Sequence, residues 1–190
     1  MKVICAGDSL TYGYGVSHNQ CWVSLLKAEN SYEIINKGVN GDTSSSLLNR
    51  SHQDIIALKP SHAIVMCGTN DFLMGGSAHR TFDNLKFLYE EMANNSIKTV
   101  FLTPPPVYPS LAKEQWSSYI NYANVNIKIK ELGELISFFS KANAIKSINL
   151  YEIFQRLCDE YSQFYSDGIH LAAKGHLLIY NSLKALNIFD

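Results

Sequence analysis

Five short strand-like runs alternate with segments of helical periodicity, and that alternation constrains this chain more than any other feature. Val3–Ala6, Tyr32–Asn36, His62–Cys67, Lys98–Thr103 and Ile145–Leu150 read as strands. His62–Cys67 is apolar without alternation, as a parallel strand covered on both faces is. Gln20–Ala28 reads as a helix with Trp22, Leu25 and Leu26 on one face. Asp42, Thr43 or Ser44 caps a second helix running to Lys59, where Pro60 ends it. A third begins at about Arg80, with Phe82, Leu85, Leu88 and Met92 at helical spacing. Pro104, Pro105 and Pro106 close the fourth strand, and 107–116 is expected to be a rim loop or lid. A long helical stretch covers 114–143, with a break at Gly133 left open. Tyr151–Cys158 reads as a short helix, and the last helix sets Ile179, Leu183 and Leu186 on one face. Strands alternating with helices in this way predict βαβ units and a parallel sheet covered on both sides. Right-handed crossovers with five strands favour the flavodoxin-like order 2-1-3-4-5. The 190 residues suit one domain over 1–190, with no repeat and no linker.

Composition narrows the function by exclusion. A net charge of −1 gives no basic excess that would point to nucleic acid or anionic lipid, so no nucleic-acid partner is expected. No stretch approaches the roughly 20 apolar residues of a membrane span. Only Met1 and Lys2 precede the first strand, so no signal peptide is read here. Cys5, Cys21, Cys67 and Cys158 show no C-x-x-C or metal-like spacing, and Cys5 and Cys67 sit in strands as small hydrophobes. The expectation is a cytoplasmic protein without a metal site.

Four polar clusters lie at or just beyond strand ends: Ser9, Gly41, Asn70, and Asp167 with His170. All strands of a parallel sheet end on one edge, where ligands bind, so these clusters are expected to meet. A serine hydroxyl is a poor nucleophile until a base takes its proton. His170 is the candidate base, because an imidazole titrates near neutrality. Asp167, three residues earlier, is within reach of Nδ1, where its carboxylate would fix the tautomer, turn Nε2 toward Ser9 and stabilise the imidazolium. The chain order Ser, Asp, His is one of the known convergent arrangements. The backbone N–H groups of Ser9 and Gly41 and the side-chain amide of Asn70 supply three candidate donors to an oxyanion.

These residues are where the chain resembles a known family, the SGNH hydrolases, also called GDSL esterases and lipases. Gly7-Asp8-Ser9-Leu10 resembles the family's first block, Gly38-Val39-Asn40-Gly41-Asp42 its second, Gly68-Thr69-Asn70-Asp71 its third and Asp167-Gly168-Ile169-His170 its last. The resemblance spans residues 4–176. It implies a three-layer α/β/α sandwich and hydrolysis of esters or thioesters. It also implies Ser9, His170 and Asp167 as the triad, Gly41 and Asn70 in the oxyanion hole, and neither metal nor organic cofactor.

Asp8, Leu10, Tyr12, Tyr14, Phe72, Val107 and Tyr108 are candidates for the substrate rim, with Trp116 beside them. Aromatic walls suit a short acyl chain and a sugar face equally. No long apolar tunnel is evident, so small acyl groups are expected. His18, His52, His62, His79 and His176 have no carboxylate partner in a site loop and read as surface or helix-face residues. Two other classes compete with a serine acylhydrolase. A non-catalytic ligand- or carbohydrate-binding domain fits the same scaffold, but has no need of all the catalytic residue types. A nucleotide or flavin binder rests on Gly13-x-Gly15 alone, since G-x-G-x-x-G lacks its third glycine at His18.

Overall fold

A computed structural model describes residues 1–29, 31–157 and 162–187. Five strands, β1 (Lys2–Gly7), β2 (Glu33–Gly38), β3 (His62–Met66), β4 (Lys98–Leu102) and β5 (Lys146–Ile148), form one parallel sheet in the order β2-β1-β3-β4-β5. This is the order expected of the sequence. Gly7 pairs in register with Gly38 and Met66, Met66 with Leu102, and Leu102 with Ile148. The five strands therefore finish level, and the segments that leave them all start from one edge.

Side chains of a strand alternate between its faces, and the core divides accordingly. Ile4, Ala6, Ala63, Val65 and Phe101 face α3 (Ser44–Asp54), α5 (Ala78–Asn94) and α7 (Tyr122–Ala142). Val3, Cys5, Ile64, Met66, Val100 and Leu102 face α2 (Trp22–Glu29), α8 (Leu150–Gln155) and α9 (Ala173–Ala185). The result is a three-layer α/β/α sandwich. Trp22 is fully buried in the second cluster, and its indole N–H donates to the Leu10 carbonyl at 3.0 Å. Burying a side chain of that size stabilises by roughly 2–3 kcal/mol, and the buried indole needs such an acceptor. Among the described residues, no helix is long and apolar enough to cross a membrane.

Several boundaries differ from the sequence expectation. The α3 helix, N-capped by Thr43, stops at Asp54 rather than Lys59; a 3-10 turn at Ile56–Leu58 follows, and Lys59 takes a left-handed conformation. The segment expected as a rim loop contains a helix, α6 (Pro109–Gln115), with Pro109 in its first turn, where a missing N–H removes no hydrogen bond. The long helix begins at Tyr122 rather than 114 and runs through Gly133 unbroken, packing there against the Asn149 side chain. Two short helices, α1 (Ser9–Tyr12) and α4 (Thr69–Leu73), stand directly after β1 and β3. The C-terminal end expected for the Tyr151–Cys158 helix lies outside the described residues, as does Cys158 itself; the helix seen ends at Gln155.

Candidate active site

The serine is placed by a backbone that leaves β1 with no room to spare. A Cβ on Gly7 would sit 2.0 Å from the Met66 carbonyl oxygen, so only glycine lets β1 end there. Asp8 then caps α1, its Oδ1 accepting from Leu10 N–H at 2.9 Å. Ser9 is the first helical residue, so its N–H is among the amides a helix leaves without an internal partner.

Ser9 Oγ lies 2.9 Å from His170 Nε2, and His170 Nδ1 lies 2.7 Å from Asp167 Oδ2. The contact between Ser9 and His170 spans 161 residues of chain. Asp167 Oδ1 also accepts from the backbone N–H of Ile169 at 2.9 Å and of His170 at 2.7 Å. Partial burial disfavours charge on Asp167, but the hydrogen bonds from the His170 side chain and from the two backbone amides outweigh it and hold the carboxyl at about 2. The loop is thus built to present an ionised carboxylate to Nδ1.

Gly41, at φ 81°, and Asn70, in the first turn of α4, border the same space. Asn70 Nδ2 donates to the Asp42 carbonyl at 2.9 Å, which joins the loop after β2 to the helix after β3. Beside it, Asp71 accepts from Ser44 N–H at 2.9 Å and from Ser44 Oγ–H at 2.5 Å, and Asn84 Nδ2 donates to that hydroxyl.

A cavity of about 180 Å³ opens over Ser9 and His170. Its lining includes Asn40, Gly41 and Asn70 together with Tyr14, Leu73, Trp116 and Ile169. The Tyr14 ring centre is 4.4 Å from that of His170, and the Trp116 ring 5.4 Å. Both aromatics are about half exposed.

The rim expected from sequence is only partly here. Tyr14 and Trp116 line the cavity, and Tyr12 is exposed without reaching it. Leu10, Phe72 and Val107 are core residues, each buried against the layers of the sandwich. Tyr108 is half-buried, with its ring near Tyr165. Asp8 is buried beneath the site, where loss of solvent pushes its carboxyl up to about 7, against the Leu10 hydrogen bond and the nearby His170. Its Oδ2 has no partner among the described residues. Asn40, Leu73 and Ile169 also line the cavity without having been rim candidates: Asn40 and Ile169 lie inside the second and last motif blocks, which was the available signal, and Leu73 follows the expected rim residue Phe72.

Two histidines also differ from expectation. His176 is fully buried on α9, accepts from the backbone N–H of Trp22 at 3.4 Å, and is pushed down to about 4, chiefly by burial. His62 is buried at the start of β3 and lowered by burial and by Lys98 and Lys146. Among the described residues, no three His, Cys, Asp or Glu side chains are grouped so as to hold a metal ion.

Comparison with known proteins places the chain among relatives of the same fold. A family model described as the GDSL-like Lipase/Acylhydrolase family matches residues 5–178. The Bacillus subtilis protein named uncharacterized lipoprotein YqeF is 30% identical over 133 residues, 63% of this chain and 55% of that protein. The Escherichia coli K12 protein named thioesterase 1/protease 1/lysophospholipase L1 is 28% identical over 128 residues, 59% of this chain and 62% of that protein. The match thus spans 55% and 62% of the length of these two curated relatives. Among solved structures, a member of the lipolytic G-D-S-L family from Veillonella parvula superposes with a TM-score of 0.85 at 19% identity over the whole of both chains.

Proposed function

The chain belongs to the GDSL-like lipase/acylhydrolase family, and on that premise we propose that residues 1–190 form one serine esterase domain acting on small-molecule esters of short acyl groups. The observation that carries this is the unbroken chain of hydrogen bonds Ser9–His170–Asp167 at the mouth of a cavity.

In this mechanism Ser9 Oγ attacks the ester carbonyl while His170 Nε2 takes its proton. Asp167, ionised, holds Nδ1–H and stabilises the imidazolium. The backbone N–H groups of Ser9 and Gly41 and the second N–H of Asn70 receive the oxyanion. Collapse of the tetrahedral adduct expels the alcohol, which takes the proton back from Nε2 and leaves an acyl group on Ser9. A water enters, gives its proton to His170, attacks the acyl carbonyl, and releases the carboxylic acid with Ser9 restored.

The cavity supports the restriction to short acyl groups. Its 180 Å³ is below the roughly 300–1,000 Å³ common for ligand pockets. Tyr14, Leu73, Trp116 and Ile169 make it apolar where the acyl chain would lie. The same relay serves a thioester, and the E. coli relative is named as both thioesterase and lysophospholipase. A reducing, cytoplasmic setting belongs to this proposal, supported by the free, buried thiols of Cys5, Cys21 and Cys67.

The test is turnover of p-nitrophenyl esters from acetate to decanoate, with an acyl-thioester beside them, by the protein and its Ser9→Ala variant. Hydrolysis of acetate to hexanoate esters that the variant loses supports the proposal. Equal hydrolysis by both proteins contradicts it, and an optimum at decanoate contradicts the short-chain part.

A further inference from the structure

Arg50 lies on α3, away from the cavity, with its side chain 17% exposed. Its guanidinium makes four hydrogen bonds. Nε donates to Asp42 Oδ2 at 2.6 Å and Nη1 to Asp54 Oδ2 at 2.9 Å. Nη2 donates to the carbonyls of Gly7 at 3.0 Å and Lys37 at 2.9 Å. None of these acceptors is a reacting group, but Gly7, Lys37 and Asp42 flank the segments that carry Ser9 and Gly41. Gly7 ends β1, two residues before Ser9. Lys37 is the penultimate residue of β2, before the loop that carries Gly41. Asp42 follows Gly41, and its carbonyl holds the Asn70 amide.

We infer that Arg50 is the positioning residue of the oxyanion hole, one rigid fork that sets the distance between the serine's strand end and the two donors borne by Gly41 and Asn70. The inference rests on the proposed roles of Gly41 and Asn70. The loop needs such an anchor. Val39, Asn40 and Gly41 are exposed, and Gly41 has no side chain with which to pack. The loop's own bonds are few: Val39 N–H to the Gly7 carbonyl at 3.0 Å, and Asp42 N–H to the Val39 carbonyl at 3.2 Å. The Gly7 carbonyl thus receives both the loop and the guanidinium. Charge-assisted bonds from a planar group with fixed donor directions hold a geometry that a flexible ammonium does not, so lysine is no substitute.

The experiment is a double-mutant cycle between Arg50→Lys and Asn70→Ala on the best ester substrate, with kcat, KM and thermal midpoint recorded for each protein. Arg50→Lys is expected to lower kcat about 10- to 100-fold with KM changed less than about threefold. In the Asn70→Ala background the same substitution is expected to cost at least about fivefold less, because one of the donors it positions is gone. Asp42→Asn retains the Asp42 carbonyl and the bonds of Arg50 to Gly7 and Lys37. It is expected to give a smaller kcat loss with the same coupling, and it carries the test if Arg50→Lys does not fold. Additive losses, an effect on KM alone, or a lowered midpoint with unchanged kcat would overturn the inference while leaving the proposed function standing. An Asn70→Ala variant of full activity would instead remove the oxyanion assignment beneath it, and this inference with it.

Discussion

The side-chain amide of Asn70 donates to the main-chain carbonyl of Asp42 at 2.9 Å across 28 residues of sequence. One of its two N–H bonds is thereby committed, and the other is the one the proposed mechanism assigns to the oxyanion. Donors of this kind act where charge develops in the transition state. Asn70→Ala is predicted to lower kcat by about 10²–10³, some 2.7–4 kcal/mol, with KM little changed. Steady-state kinetics on a short-chain ester check it. A rise in KM at constant kcat would mean that Asn70 binds the ground state only.

Asp167 has two separable effects. Asp167→Asn is predicted to lower kcat by about 10³–10⁴ by misdirecting the His170 tautomer. Its carboxyl, held at about 2 in the folded protein, lies below the ordinary aspartate value. Between about pH 2 and 4 the unfolded chain therefore binds the proton and the native one does not. The stabilisation is full above pH 4 and is lost as pH falls through 2. Urea titrations of both proteins from pH 2 to 5 should show a shallower slope for the variant, and parallel slopes would contradict the assignment.

Asp8 has the opposite sign. Its folded-state value of about 7 is raised above the ordinary aspartate range by burial. From about pH 4 to 7 the native state holds a proton that the unfolded chain has released, so stability falls as pH rises across that window. Asparagine keeps an oxygen to cap Leu10 N–H but has no charge to bury. Asp8→Asn is predicted to be more stable than the parent at pH 8, by on the order of 1–3 kcal/mol, and to converge with it at pH 4. Unfolding free energies at the two pH values decide it; an equal difference at both would show that the buried carboxyl does not titrate in this range.

The layout of the sheet was open to sequence reading because β1, β3 and β4 are buried on both faces, and such strands show as uninterrupted apolar runs. Ser9, Gly41 and Asn70 follow β1, β2 and β3, whose level ends bring them together, whereas Asp167 and His170 are not at a strand end: they come after α8, and the loop before α9 carries them to Ser9. Packing decided the rest. Leu10, Phe72 and Val107 stand beside motif or rim residues in sequence, yet their apolar side chains are taken into the core. The three prolines from Pro104 to Pro106 made the following segment look like loop, although Pro109 is the mark of a helix start. Arg50 gave no sign of its role, because two of its acceptors are main-chain carbonyls at the ends of β1 and β2, neighbours only in the folded chain.

Trp116 closes one side of the cavity, at the C-terminal end of α6, and is 52% exposed. Trp116→Ala would remove that wall without opening the core. The variant is predicted to shift the acyl-length optimum upward, with kcat/KM for octanoate over acetate rising about tenfold, worth about 1.4 kcal/mol. The ester series measures it. An unchanged optimum would place the acyl chain elsewhere.

The most direct test of the central claim is covalent labelling of the intact protein with a fluorophosphonate, followed by mass mapping of the adduct. The account predicts one adduct per chain, on Ser9, that fails to form in His170→Ala although that variant remains folded. An adduct on another residue, or a protein that hydrolyses esters while Ser9 stays unlabelled, would contradict it.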